Sequence, residues 1–196
     1  MIQLTRIFLL SLLLLSCSKK VKYIDKEVKV NIVPLPKKVN IVDSNKYILL
    51  PKQIKVYIDS NEKKNLFDLI SKDFKKLSFS NSFELITNKN RSNLSLEIEN
   101  NLDEEEYEIA VNNKVVIKGG SLSAIKMARS TLLQLSENDN GRITLPIIKL
   151  KDSPDAAYRG LLIDLARKWH KIETIYKLID LASFYKLNYL QFHLTD

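Results

Sequence analysis

Arg159-Gly160-Leu161-Leu162-Ile163-Asp164 and residues 187–194 are two mostly apolar stretches, and between them Ile172, Ile175, Ile179 and Ala182 recur at helical spacing. Strands that are apolar at successive positions need cover on both faces, which is the situation of parallel strands joined by a helix. Residues 152–196 therefore read as a β-α-β unit, the element from which α/β domains are assembled.

Upstream of this unit, Asp152-Ser153-Pro154-Asp155 collects turn formers and predicts a domain boundary. Earlier still the pattern is different. Ile54, Val56 and Ile58 alternate with Lys55 and Tyr57 as in a half-buried strand, and Leu66, Leu69, Ile70, Phe74 and Leu77 mark one face of a helix. Short strands are expected at 83–86 and 94–98. Tyr107, Ile109 and Val111 then alternate, Asn112-Asn113 can take the positive φ angles of a tight turn, and 115–117 returns, which predicts a hairpin. Gly119-Gly120-Ser121 supplies a break and an N-cap for a helix carrying Leu122, Ile125, Ala128, Leu132 and Leu135 and ending near Ser136. A Gly-Gly-Ser turn ahead of a helix can bind phosphate through backbone N–H groups. The flanking GxGxxG or GxxxxGK pattern is missing here, so the turn reads as structural. One last strand is expected over 143–150. Together these elements predict a compact α+β domain over 31–151, entered by Asn31-Ile32-Val33-Pro34-Leu35-Pro36, whose prolines impose extended backbone.

The first residues carry a different message. Residues 1–6 hold one Arg, and 7–15 form an apolar run too short to span a bilayer, the form of an export signal. The run ends in Leu14-Leu15-Ser16-Cys17, similar to a bacterial lipobox, in which the Cys is lipidated and becomes the new N-terminus. Residues 1–17 are thus expected to be a lipoprotein signal peptide with Cys17 as the attachment site. Residues 18–30 set Lys19, Lys20, Lys22, Lys26 and Lys29 against Asp25 and Glu27 and read as a charged tether. The expected location is the cell envelope, with acyl chains holding the protein to a membrane. Ser18 after the Cys leaves both the outer membrane and the periplasmic face open.

Composition narrows the function classes. The chain has 196 residues, 45% of them hydrophobic and 28% charged, enough for one folded domain and the beginning of another. Its net charge of +8 comes from scattered Lys, with no basic stripe interleaved with aromatics, which argues against nucleic-acid binding. A single Cys excludes an intramolecular disulfide and a CxxC metal site, and two His without HExxH exclude a metalloprotease of that type. No ligand cluster calls for a metal or an organic cofactor.

Six segments carry a resemblance, three of them in the last forty residues. Tyr158-Arg159-Gly160-Leu161-Leu162-Ile163-Asp164-Leu165-Ala166-Arg167, then Tyr185-Lys186-Leu187-Asn188, and finally His193-Leu194-Thr195-Asp196 resemble the opening of the barrel of glycoside hydrolase family 20 β-N-acetylhexosaminidases. Upstream, Ile32-Val33-Pro34-Leu35-Pro36, Gly119-Gly120-Ser121 and Thr131-Leu132-Leu133-Gln134-Leu135 are similar to the smaller α+β domain that precedes this barrel in bacterial members. The resemblance implies an α+β N-terminal domain followed by the incomplete start, β-α-β, of a TIM (β/α)8 barrel.

It also implies roles. The Arg matching Arg167 holds hydroxyls of the terminal N-acetylhexosamine, a task suited to a guanidinium with several donors in fixed geometry. Asp196 matches the Asp of a His-Leu-x-Asp motif that supports a downstream His and, through it, the acid/base Glu. In this family the substrate's acetamido oxygen attacks the anomeric carbon, an exception to the two-carboxylate scheme. The sequence departs from the family pattern at Lys168-Trp169-His170 and at Gln191-Phe192. His193 is expected to be a packed strand residue.

The family's adjacent Asp-Glu pair belongs on a later barrel strand and has no counterpart here. Asp103-Glu104-Glu105-Glu106, the one dense acidic run, precedes a strand of the first domain and reads as a solvated loop. A complete barrel takes roughly 250 residues. The expectation is the N-terminal part of a β-N-acetylhexosaminidase, inactive by itself, whose parent removes terminal non-reducing N-acetylhexosamine from glycans. The alternative is a non-catalytic lipoprotein that binds glycan or protein. An O-linked N-acetylglucosaminidase, with a Glu-Gly-Phe-Tyr-Gly type sequence after its first barrel strand, is disfavoured by Leu162-Ile163-Asp164-Leu165-Ala166-Arg167.

Overall fold

A computed structural model describes residues 21–195. The export-type segment, Cys17 and Asp196 lie outside the described residues. The larger of two sheets in the first body has seven strands. Its elements in chain order include β2 (Lys38–Ile41), β4 (Gln53–Asp59), helix α1 (Lys63–Lys76), β5 (Ser82–Ile86) and β6 (Leu94–Ile98). They continue with β7 (Tyr107–Val111), β8 (Val115–Gly119), helix α2 (Leu122–Leu135) and β11 (Ile148–Asp152). The spatial order is β2-β11-β7-β8-β6-β4-β5. β5, β4, β6 and β8 run parallel, while β8, β7, β11 and β2 pair antiparallel.

Alternation explains why these strands form one face of a core. Ile54, Val56 and Ile58 are buried while Lys55 and Tyr57 are only half-buried, and Val115, Ile117 and Gly119 repeat the pattern on β8. α1 turns Leu66, Ile70 and Phe74 inward, and α2 turns in Ala124, Ile125, Ala128 and Leu132, so the two helices cover that face.

A second, four-stranded antiparallel sheet has the order β1-β3-β10-β9, with β1 at Lys22–Asp25, β3 at Lys46–Leu49, β9 at Glu137–Asp139 and β10 at Arg142–Pro146. The strand positions correct three expectations. The predicted tether is ordered from Lys22, because Tyr23 and Ile24 pair with Ile48 and Tyr47; Lys22 and Lys26 flank this edge strand, where charge discourages further pairing. The single strand over 143–150 is two strands in different sheets. The chain passes between them at Ile147, right after Pro146, which has no N–H to extend a ladder. The predicted boundary shifts slightly too, since Asp152 completes β11 and belongs to the first body.

The β7–β8 hairpin forms, but neither Asn112 nor Asn113 has a positive φ. With Val111 facing Val115, Lys114 is an additional loop residue, and the reversal needs no left-handed backbone. The primed-type turn sits at Asn140-Gly141 instead, with φ of 50° and 81° between the paired Asp139 and Arg142.

Gly119-Gly120-Ser121 is a packing and capping turn. A Cβ at Gly120 would fall 1.9 Å from the Asp103 carbonyl oxygen, so only glycine fits against that loop. The Ser121 hydroxyl accepts the Ala124 N–H at 3.2 Å and donates to the Glu104 carbonyl at 2.6 Å.

The remaining unit is β12 (Gly160–Asp164), helix α3 (Ile172–Phe184) and β13 (Tyr189–His193), whose two strands pair in parallel. Most of its surface is uncovered: Leu162, Tyr176, Leu181 and Leu194 are all at least half exposed, while Ile163, Ile175 and Ala182 are buried.

Candidate functional site

Parallel pairing puts the carboxyl ends of β12 and β13 side by side, with Asp164 opposite His193. One oxygen of Asp164 accepts the backbone N–H groups of Ala166 and Arg167, each at 3.0 Å. The other lies 3.6 Å from His193 Nδ1. The His193 carbonyl accepts the N–H groups of Leu165 at 2.8 Å and Ala166 at 3.1 Å. Arg167 therefore leaves a turn fixed from both strands, and its side chain is exposed. The Arg167 N–H holds the Asp164 carboxyl below its ordinary value, with burial opposing and the charge of His193 adding to the effect.

The structure thus puts Arg167 at the exit of the first strand of this unit, as the sequence suggests. His193 is half-buried, with its Nδ1 3.6 Å from the Asp164 carboxyl. Trp169 is 80% exposed on the same loop and His170 is half-buried. Asp196 follows β13 as Arg167 follows β12, but it lies outside the described residues.

The acidic run is engaged elsewhere. Glu105 receives a forked interaction from Arg159 at 2.6 and 3.1 Å, and Glu106 pairs with Lys151 at 2.6 Å. The Lys151 ammonium keeps the Glu106 carboxyl below its usual range. These carboxylates bind their own protein's cations, so they are not a free acid/base pair.

One cluster was not foreseen. Tyr107 on β7, Asp152 on β11, Thr131 on α2 and Lys186 after α3 meet in a buried knot. The Tyr107 hydroxyl donates to Asp152 Oδ2 at 2.5 Å and is 2.7 Å from Thr131 Oγ1, while Lys186 Nζ lies 2.8 Å from the hydroxyl and 3.1 Å from Asp152. Burial raises the Tyr107 hydroxyl well above its ordinary value, with the Asp152 hydrogen bond adding to it. Burial also lowers the Lys186 ammonium, against the attraction of Asp152. The only sequence signal was the Tyr185-Lys186-Leu187-Asn188 motif itself, since a Lys is rarely buried.

A cavity of about 750 Å³ lies beside the ends of β4 and β5 and the start of α1, among Tyr57, Asp59, Asn61, Glu62 and Leu85. None of its lining residues comes from the β12–α3–β13 unit.

The chain belongs to glycosyl hydrolase family 20: the model for domain 2 of that family matches residues 29–153, and the model for its catalytic domain matches residues 157–196. A beta-hexosaminidase of Vibrio furnissii is 38% identical over 96 residues, covering 48% of this chain and 16% of that protein. A beta-hexosaminidase of Porphyromonas gingivalis is 28% identical over 93% of this chain and 25% of its own length. Among solved structures, the exo beta-N-acetylglucosaminidase of Vibrio harveyi in complex with N-acetylglucosamine superposes with a TM-score of 0.77 at 25% identity. That alignment covers 92% of this chain and 28% of that one. The chain spans a quarter or less of the length of these two curated relatives.

Proposed function

We propose that these residues form the amino-terminal part of an exo-acting β-N-acetylhexosaminidase, with the β12–α3–β13 unit as the opening of a (β/α)8 barrel. The observation that carries this reading is the exit of Arg167 from β12, on a turn held by Asp164 and by the His193 carbonyl of the parallel neighbour. Barrel enzymes gather their sites at the carboxyl ends of their strands. Arg167 there donates hydrogen bonds to hydroxyls of the terminal N-acetylhexosamine, and its charge persists at any working pH. Asp196 orients a His supplied by later sequence, which in turn tunes the acid/base Glu. The attacking group is the substrate's own acetamido oxygen.

The exposed apolar side chains of Leu162, Phe192 and Leu194 fit this reading, since barrel strands and their helices cover such positions. So do the unpaired outer edges of a two-stranded sheet. Cys17 carries the lipid, and the protein works at the cell envelope. Metabolic labelling with a fatty-acid analogue checks this: label retained by Cys17→Ser would overturn the anchor.

Catalysis needs the acid/base Glu and its neighbouring Asp, so residues 1–196 alone do not turn over. The test is hydrolysis of a chromogenic N-acetyl-β-glucosaminide by residues 1–196 and by the complete product of their reading frame. The complete product is expected to be active and the 196-residue chain inactive. Turnover by the 196-residue chain would contradict the assignment of roles.

A further inference from the structure

Arg159 and Lys186 belong to the quoted motifs, yet neither stands at the strand end that holds Arg167. They precede β12 and β13, at the opposite end of the unit, and both reach into the first body. Arg159 forks onto Glu105 and donates from Nε to the Lys186 carbonyl at 2.9 Å. Asn188 joins them: its Oδ1 accepts the Arg159 N–H at 2.9 Å, and its Nδ2 donates to the Ala157 carbonyl at 2.8 Å. Through these side-chain-to-backbone bonds the three residues form one network across the amino-terminal ends of both strands.

Lys186 also sits on unfavourable backbone. Its φ is +62°, its N–H bonds the Ser183 carbonyl at 3.1 Å, and the Leu187 N–H bonds the Ala182 carbonyl at 2.9 Å. This is a Schellman ending of α3, in which the left-handed position ordinarily falls to glycine. A Lys there accepts strain that glycine would avoid. What it gains is the buried site beside Tyr107 and Asp152.

The first body meets the end of α3 in a second way. The last carbonyls of a helix lack partners within it. Here the Ser130 hydroxyl donates to the Ser183 carbonyl at 3.0 Å and Gln134 Nε2 to the Phe184 carbonyl at 3.3 Å, both from α2. The unit itself has little core, since Ile163, Ile175 and Ala182 are its buried apolar residues. Two strands and one helix do not hold themselves in water.

We infer that the first body is a seat for the β12–α3–β13 unit, and that Lys186, whose ammonium meets both Tyr107 and Asp152 and whose carbonyl is held by Arg159, is the key that keeps the unit ordered. The accessory body thereby fixes the strands at the end away from Arg167. This inference rests on the contacts alone and stands or falls independently of any sugar chemistry.

Lys186→Gly separates the key from the local backbone. If only the helix ending mattered, glycine would relieve strain and protect the unit better. Amide hydrogen exchange on the 196-residue chain reads the outcome. In Lys186→Gly and Lys186→Met, protection at 161–163 and 190–192 is expected to fall about a hundredfold, because Asp152 is left buried without its cation, while β4 and β6 keep theirs. Tyr107→Phe, which removes one hydroxyl and no charge, gives a smaller loss confined to the same amides. Unchanged or increased protection in Lys186→Gly would overturn the inference, and so would an equal loss across β4 and β6. If the Lys186 variants do not fold, Tyr107→Phe decides, by the presence or absence of its localised loss.

Discussion

Asp164 accepts the backbone N–H of Arg167 at 3.0 Å, so the last residue of β12 sets the turn from which the guanidinium leaves. The same carboxyl group faces His193 across the strand pair. The site's first element is therefore held by the pairing of the two strands as well as by its own loop.

This arrangement has a pH signature. The Asp164 carboxyl is held below its ordinary value of 3.8, chiefly by the Arg167 N–H. A depressed carboxyl pKa contributes stability above the unfolded value, and that contribution is lost as pH falls through the folded value. The amide signals of Ala166 and Arg167 should therefore titrate with a midpoint below 3.8. A midpoint at or above that value would contradict the turn described. Asp164→Asn should abolish the transition.

Gly120 offers a steric test. A Cβ there meets the Asp103 carbonyl oxygen at 1.9 Å and its carbon at 2.7 Å, both backbone atoms that cannot swing aside. Gly120→Ala should cost about 2 kcal/mol or more in urea unfolding. A neutral substitution would mean that the loop at Asp103 yields freely.

The core makes a contrast of its own. Ile117 lies fully buried on β8 between β7 and β6, whereas Ile172 at the start of α3 is 53% exposed. Ile117→Ala should cost about 3 kcal/mol, and Ile172→Ala should stay within about 0.5 kcal/mol. Equal losses at the two positions would contradict the burial described.

Much of this architecture was legible in residue order, for physical reasons. α1 and α2 declare themselves because one face of each is apolar at helical spacing, and β4, β7 and β8 because their burial alternates. β12 and β13 read correctly as parallel strands from their mostly apolar runs. The change of sheet at Ile147 was hidden because both flanking strands are largely buried, and periodicity does not say which neighbour a strand pairs with. The Asn140-Gly141 turn did carry its signal, in the dipeptide that best tolerates left-handed backbone. Lys186 was readable only as part of a motif, since its burial depends on Tyr107, Thr131 and Asp152, which are distant in sequence. The role proposed for Arg167 comes through resemblance; composition alone would leave it as one exposed cation among many.

The central claim joins this fold to the handling of a terminal N-acetylhexosamine by Arg167. Its most direct test is kcat/KM for a chromogenic N-acetyl-β-glucosaminide, measured on the complete product of the reading frame and on its Arg167→Ala variant. Loss of charged hydrogen bonds to the sugar predicts a fall of about a hundredfold or more, with the fold intact by circular dichroism. A wild-type protein inert on that substrate, or a variant as active as wild type, would contradict the account.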